Sequence, residues 1–315
     1  MLERIRSRTM FTGYNKKCYS CNFSPFSSNL RLMEHKTPTP TTTTTSSEWG
    51  SQAWRQLSRV RSSSPLIQCI TNYVSMDLMA NVLLSSGASP AMIHSLQEIP
   101  DFTPHVHALC INVGTLTPDW LSAIKAAVNT VNEMHKPWVL DPVAAGSSGF
   151  RFKACLELLA LGPTVVRGNA SEIIALHNGA LDTNSRGADS VHESTDAVVA
   201  AKSLAQTSGS IVAVSGAVDI ITDGQRVFGV HNGVPMLQKI TATGCSVTAL
   251  IAAFVAIDPS HPLEATTSAL SIFGVAGEIG MISAKGPGSL RMHLIDSLNT
   301  LDEHTFLQLV KITNL

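Results

Sequence analysis

Residues able to do chemistry gather in the stretch Ile240-Thr241-Ala242-Thr243-Gly244-Cys245-Ser246-Val247. Small residues lead there into an apolar run with no charge before Asp258. A helix opening at this place leaves backbone N–H groups unpaired, and its macrodipole adds positive potential. Ala242, Thr243 and Gly244 are small enough to let an anion approach that backbone, so they form a candidate anion hole for a phosphate or a developing phosphoryl charge. Cys245 stands at the edge of that hole, where the helix end is expected to favour thiolate over thiol. A lone Cys in an apolar helix is otherwise a core filler, so the stretch gains meaning from what accompanies it.

Other polar residues end apolar runs that read as strands. Asn72 follows Leu66–Ile70, Asp141 ends 137–143, Arg167 lies in 164–169, and Ser215 closes 210–216. Glu172 comes early in the helix that opens at Ala170. One Arg, two acids and an anion-binding helix end suit phosphoryl transfer. Asp141 and Glu172 are candidate Mg2+ ligands, since Mg2+ prefers carboxylates supplemented by water and phosphate oxygens. Arg167 is a candidate grip on ATP phosphates. Each also has a structural reading: Asp141 as a strand end, and Glu172 as an acid favoured in a first helical turn. There is no GxxxxGK[ST] loop and no protein-kinase signature.

The elements that must position these residues alternate. Helices are expected over 49–61, around Leu78, Met79, Val82 and Leu83 with a stop at Gly87, from Thr117-Pro118 onward, from Ala170, over 195–206, after Cys245, and over 262–284, 289–299 and 302–311. Strands are expected at 66–70, 91–94, 109–114, 137–143, 164–169, 210–216 and 236–240, with a hairpin over 219–230 around Thr222-Asp223-Gly224. Residues 178–193 read as an exposed loop, and Ser289 as a helix cap. Continuously apolar strands between helices predict a mostly parallel sheet covered on both faces. Ligands in such sheets bind at the carboxyl ends of the strands, where all of the polar features above converge.

Composition narrows the function. The chain has 315 residues, 44% hydrophobic and 14% charged, with a net charge of −1. That charge implies no nucleic-acid or membrane attraction, and no apolar run is read as reaching the roughly 18 residues of a membrane span. Of the six cysteines, Cys69, Cys110, Cys155 and Cys245 stand alone in apolar segments, a reduced, intracellular pattern. Cys18 and Cys21 have CxxC spacing without a second pair. Residues 1–47 are basic, rich in Ser and Thr and poor in acids, and their tract Thr39–Ser47 is too polar to bury anything, so they are set apart from a globular domain over 48–315. Two readings of this extension stand: a transit peptide directing the chain to a plastid or mitochondrion, or an upstream segment before a start at Met33, which favours the cytoplasm.

Five blocks, in order, point further: Pro65-Leu-Ile-Gln-Cys-Ile-Thr-Asn72, Gly87-Ala-Ser-Pro-Ala-Met92, Asp141-Pro-Val-Ala-Ala-Gly146, Arg167-Gly-Asn-Ala-Ser-Glu172 and Thr241-Ala-Thr-Gly-Cys245. Together they resemble the hydroxyethylthiazole kinase family of the ribokinase-like superfamily, over residues 50 to 312. The resemblance implies a three-layer α/β/α fold and a homotrimer with active sites near subunit contacts. It implies ATP- and Mg2+-dependent phosphorylation of the primary alcohol of 4-methyl-5-(2-hydroxyethyl)thiazole in thiamine salvage. It makes Cys245 the catalytic residue, Arg167 and Ser215 ATP-binding, and Met92, with Asn72 and Ala242, substrate-binding. Ser215 stands where the family usually has Thr, and Ala242 where many members have Gly. Rival readings are a hydroxymethylpyrimidine or pyridoxal kinase of the same fold, a non-catalytic thiazole- or nucleotide-binding protein, and a hydrolase pairing Cys245 with His94, His177 or His231.

Overall fold

The structure is a computed structural model that describes residues 46–181 and 194–315. The Cys18–Cys21 pair, the N-terminal extension up to residue 45 and most of the expected 178–193 loop lie outside the described residues.

The first half of the chain alternates strictly. It runs α1 (Ser46–Ser63), β1 (Leu66–Ile70), α2 (Met76–Ser85), β2 (Ser89–Ala91), α3 (Ile99–Phe102), β3 (Ala108–Asn112), α4 (Pro118–Glu133) and β4 (Trp138–Asp141). It continues through α5 (Gly149–Leu159), β5 (Val165–Asn169), α6 (Ala170–Leu181), α7 (Ser194–Ser208) and β6 (Ile211–Ser215). The hairpin β7 (Asp219–Thr222) and β8 (Val227–Val230) follows. The chain ends with α8 (Thr243–Ile257), α9 (Pro262–Ser283), α10 (Pro287–Thr300), α11 (Glu303–Leu309) and β9 (Ile312–Asn314).

The strands form one sheet in the order β2-β1-β3-β4-β5-β6-β7-β8-β9. Neighbours from β2 to β6 are parallel, and those from β6 to β9 antiparallel. Apolar side chains pack on both faces. One core joins α1, α2, α8, α9 and α10 to the sheet, and the other joins α4, α5, α6 and α7. This is the expected three-layer arrangement. After β1 the chain places β2 on one side of it and β3 on the other, so the crevice between the carboxyl ends of β1 and β3 is a topological switch point, where α/β sheets bind ligands.

Several elements differ from expectation. Residues 236–240 are not a strand; Pro235–Lys239 is a 3₁₀ turn, begun by a proline with fixed φ. The strand expected over 91–94 is Ser89–Ala91; beyond it the Gln68 side chain donates to the Ile93 carbonyl and the Thr71 N–H to the His94 ring, in place of ladder bonds. Helix α5 was not expected, although Ser148 caps it by accepting the Arg151 N–H and it buries Ala154, Cys155, Leu158 and Leu159. Gly286, not Ser289, is the N-cap of α10, and the Ser289 hydroxyl reaches back to accept the Lys285 N–H. Helix α9, with 22 residues, is long and apolar enough to cross a membrane by length and composition, contrary to the estimate from apolar runs. In this fold 78% of that apolar window is buried inside the protein.

Gly87 ends the α2 turn with φ +90°, and a Cβ there would lie 2.7 Å from the Arg61 Cα. The neighbour is backbone and cannot swing away. Gly87→Ala should therefore destabilise the protein by at least about 2 kcal/mol in urea unfolding. A change under half that size would contradict the close approach.

Candidate active site

A buried chain of polar side chains crosses the switch point. The Asn72 amide is oriented by accepting the N–H groups of Val74 and Ser75 on its Oδ1, both at 3.0 Å. Its Nδ2 donates to Asn112 Oδ1 at 2.7 Å and to Cys245 Sγ at 3.6 Å. Asn112 Nδ2 donates in turn to Asp141 Oδ2 at 2.8 Å. Thr248, one turn into α8, donates to the same oxygen at 2.9 Å. Asn112 and Asp141 are register partners at the ends of β3 and β4, which is why their side chains meet. Asn72, Asn112, Asp141 and Thr248 are all buried.

The electrostatics follow from burial. Asp141 is 1% exposed. Desolvation pushes its pKa up to about 6, against the opposing pull of Arg167 and the bonds from Thr248 and Asn112, with Glu172 adding to the rise. The Cys245 thiol is also pushed up, by burial first and then by the Asp141 carboxylate. Bonds from Asn72 and Asn112 and the charge of Arg167 oppose this without reversing it. This runs against the expectation that the helix end would favour thiolate: lost solvation first, and then the buried Asp141 carboxylate, favour the thiol.

The candidate anion hole coincides with a helix N-terminus. Thr243, Gly244 and Cys245 occupy the first turn of α8, whose N–H groups have no partner within the helix. Ala242 is the N-cap and makes no side-chain cap. It adopts φ 68°, the left-handed region, at a cost of roughly 1–2 kcal/mol for a residue with a Cβ.

Arg167 lies over the same helix end. A Cβ on Gly244 would sit 2.7 Å from an Arg167 guanidinium nitrogen. Its Nε and Nη2 donate to Ser215 Oγ at 3.0 and 2.6 Å, which leaves the Ser215 hydroxyl hydrogen to donate elsewhere. Arg167, Ser215, Asp219, Thr243 and Gly244 line a cavity of about 470 Å3 that extends to Asn232, Leu237 and Phe273.

Glu172 has a structural task as well. Its oxygens accept the N–H groups of Ala144 and Asn169, both at 2.8 Å, while Asn169 Oδ1 accepts the Glu172 N–H at 2.9 Å. That reciprocal pair is a capping box. Asp141, by contrast, keeps Oδ1 buried and without a hydrogen-bond partner. Of the two candidate metal ligands, Asp141 has the unused oxygen. Met92 follows β2, half-buried, and packs on the same core as Cys245.

The structure thus brings together Asn72, Asp141, Ala242, Thr243, Gly244 and Cys245, with Arg167 and Ser215 on the cavity side. Asn112, Thr248 and Asp219 were not singled out from sequence. Asn112 ends a strand as Asp141 does, and that signal could have found it. Asp219, pushed up to about 6 chiefly by burial, lies at the start of the hairpin strand β7.

Neutralising Asp141 reads the cost of burying its charge. A pKa raised above the unfolded value means that stability is lost as pH climbs through about 6 and regained toward pH 4. Asp141→Asn should therefore stabilise the ligand-free protein at pH 7.5 by about 1–3 kcal/mol, an advantage that shrinks by pH 4. Urea unfolding at both pH values checks this; a destabilised Asn variant at pH 7.5 would contradict it.

Comparison with known proteins gives this site its relatives. The profile of the Hydroxyethylthiazole kinase family matches residues 57–304. The chain is 65% identical to a hydroxyethylthiazole kinase of Arabidopsis thaliana over 268 residues, covering 85% of this chain and 97% of the relative. It matches the solved structure of a hydroxyethylthiazole kinase protein from Pyrococcus horikoshii OT3 with a TM-score of 0.78 at 39% identity, over 84% of this chain and 99% of the other. A ribokinase-like superfamily protein from Enterococcus faecalis V583 shares the fold alone, with a TM-score of 0.56 at 12% identity over 76% of this chain and 88% of the other.

Proposed function

The chain belongs to the hydroxyethylthiazole kinase family, and from that membership we propose that residues 48–315 form a catalytic domain that moves the γ-phosphoryl group of ATP to the primary alcohol of 4-methyl-5-(2-hydroxyethyl)thiazole, in thiamine salvage. The observation that carries the assignment of parts is the placement of Cys245. It lies in the uncapped first turn of α8, is hydrogen-bonded by Asn72, and is linked through that helix and Thr248 to the buried Asp141.

Arg167 and the Ser215 hydroxyl hold the nucleotide phosphates, and the N–H groups of Thr243, Gly244 and Cys245 take up the charge that grows on the transferring group. Asn72, Met92 and the Ala242 backbone hold the thiazole alcohol. The alcohol oxygen attacks the γ-phosphorus, the bond to the β–γ bridging oxygen breaks, and ADP departs. Cys245 accepts the alcohol proton as thiolate. Burial keeps that form scarce but makes it a strong base, which suits a proton that leaves late in a loose transition state.

Asp141, through its unpartnered Oδ1, would hold Mg2+, with Glu172 adding negative charge nearby. Bound there, Mg2+ supplies charge neutralisation on the phosphates. Tyr73 and Val74, 67% and 60% exposed directly after Asn72, support a subunit contact beside the site. We therefore include the homotrimer in the proposal; a monomer in light scattering would remove it.

Turnover with Mg-ATP tests the reading, with the thiazole alcohol, hydroxymethylpyrimidine and pyridoxal offered side by side. A strong preference for the thiazole alcohol is expected. Preference for either rival would overturn the substrate, and Mg-ATP binding without turnover would overturn the activity. Cys245→Ala should lower kcat by about 100-fold or more, the scale of a lost general base, with the KM for ATP little changed. Cys245→Asp should stay active and lose the rise of kcat with pH expected of the wild type. Equal turnover in the Ala variant would take Cys245 out of the reaction.

A further inference from the structure

The segment carrying Met92 leaves the sheet early, since Gln68↔Ala91 is the last register pair between β1 and β2. Beyond it, side chains hold the segment to β1. Gln68 Nε2 donates to the Ile93 carbonyl at 3.1 Å, and the Thr71 N–H donates to His94 Nε2 at 3.0 Å. His94 follows Met92 by two residues, so its bond to Thr71 ties the end of β1 to the segment that carries Met92. Burial pushes the His94 pKa below its ordinary value. Nε2 also lies 3.2 Å from the Thr71 carbonyl, so the ring meets the Thr71 backbone on both its N–H and its C=O side.

An aromatic face fixes the ring from the other side. His94 lies 4.7 Å from Trp120 between centroids at 34°, and Trp120 lies 4.8 Å from Tyr73. One imidazole thus joins three segments: the end of β1 next to Asn72, the stretch after β2 that holds Met92, and the first turn of α4.

We infer that His94 is a positioning residue for the acceptor alcohol, because by tying Thr71 to Met92 it sets the gap between Asn72 and Met92. The inference rests on the reading that gives those two side chains to the thiazole. His94 itself touches no reacting atom. Trp120 packs on the ring and holds it where Nε2 meets the Thr71 backbone. The nucleotide cavity lies across the sheet at β5, β6 and β7, so the tie bears on one substrate and not on the other.

Steady-state kinetics on the full chain tests this, with Mg-ATP and 4-methyl-5-(2-hydroxyethyl)thiazole varied in turn. His94→Phe keeps a ring against Trp120 and removes the hydrogen bonding to the Thr71 backbone. It should raise the KM for the alcohol about 5- to 30-fold, the scale of one or two lost hydrogen bonds, and leave the KM for ATP within about 2-fold. His94→Gln, which keeps an acceptor near the Nε2 position, should recover most of the loss. Trp120→Leu, at a half-buried site, should raise the alcohol KM about 3-fold, the loss of an aromatic contact. An unchanged alcohol KM in His94→Phe, or equal rises for both substrates, would overturn the positioning role. If His94→Phe does not fold, an unchanged alcohol KM in Trp120→Leu overturns it instead, and a selective rise supports it. Wild-type protein that does not turn over the thiazole alcohol would fail the functional reading, a separate outcome.

Discussion

Asp141 is a carboxylate buried at the end of β4 with neutral donors on one oxygen and none on the other. The arrangement of the site follows from that constraint. Two neutral hydrogen bonds each contribute about 1 kcal/mol, and Arg167 adds a more distant attraction. Desolvation still wins, as the rise to about 6 shows. The fold accepts a local penalty at a point where a bound cation would remove it. The same two bonds tie β3, β4 and α8 together, so the group that is costly to bury also holds α8 against the strand ends. Cys245 takes its position from that helix, and its raised proton affinity partly from that carboxylate.

A second penalty lies two residues before Gly244. Ala242 is left-handed and caps nothing, so the first turn of α8 has both a strained entry and unpaired donors. Gly would relieve the strain, and Ser or Asp in a cap geometry would satisfy a donor. The helix end has neither, which leaves its N–H groups free for an anion. Arg167 lies over the same turn because Gly244 offers no Cβ. Strain, free donors and a guanidinium therefore meet at one helix end: the strain comes from the Ala242 Cβ, the free donors from the missing side-chain cap, and the close guanidinium from the bare Gly244.

The sheet and its polar edge were legible because apolar runs ended on residues that do not belong in a core: Asn72, Asp141, Arg167 and Ser215. The helix stripe of Leu78, Met79, Val82 and Leu83 and the Thr117-Pro118 cap were readable for equally local reasons, and all four stripe residues are buried. Thr248 was not legible. Inside an apolar helix a threonine looks like filler, and only its contact with Asp141, 107 residues away, gives it a role. Residues 236–240 looked like a strand from their apolar content, but they pair with no neighbour, and Pro235 sets a tight turn. Strand β9 has three residues, two of them exposed, and so carries no pattern. The state of Cys245 was misjudged for a physical reason: a sequence displays the helix end that lowers a thiol pKa, but not the burial and the carboxylate that raise it.

The most direct test of the Cys245–Asp141 arrangement is the pH dependence of Cys245 alkylation by iodoacetamide, read by mass spectrometry on the peptide that contains it. The account predicts a midpoint above that of an ordinary thiol in the ligand-free protein, shifting downward in Asp141→Asn. A midpoint below the ordinary value, or one that does not move when the carboxylate is removed, would contradict it.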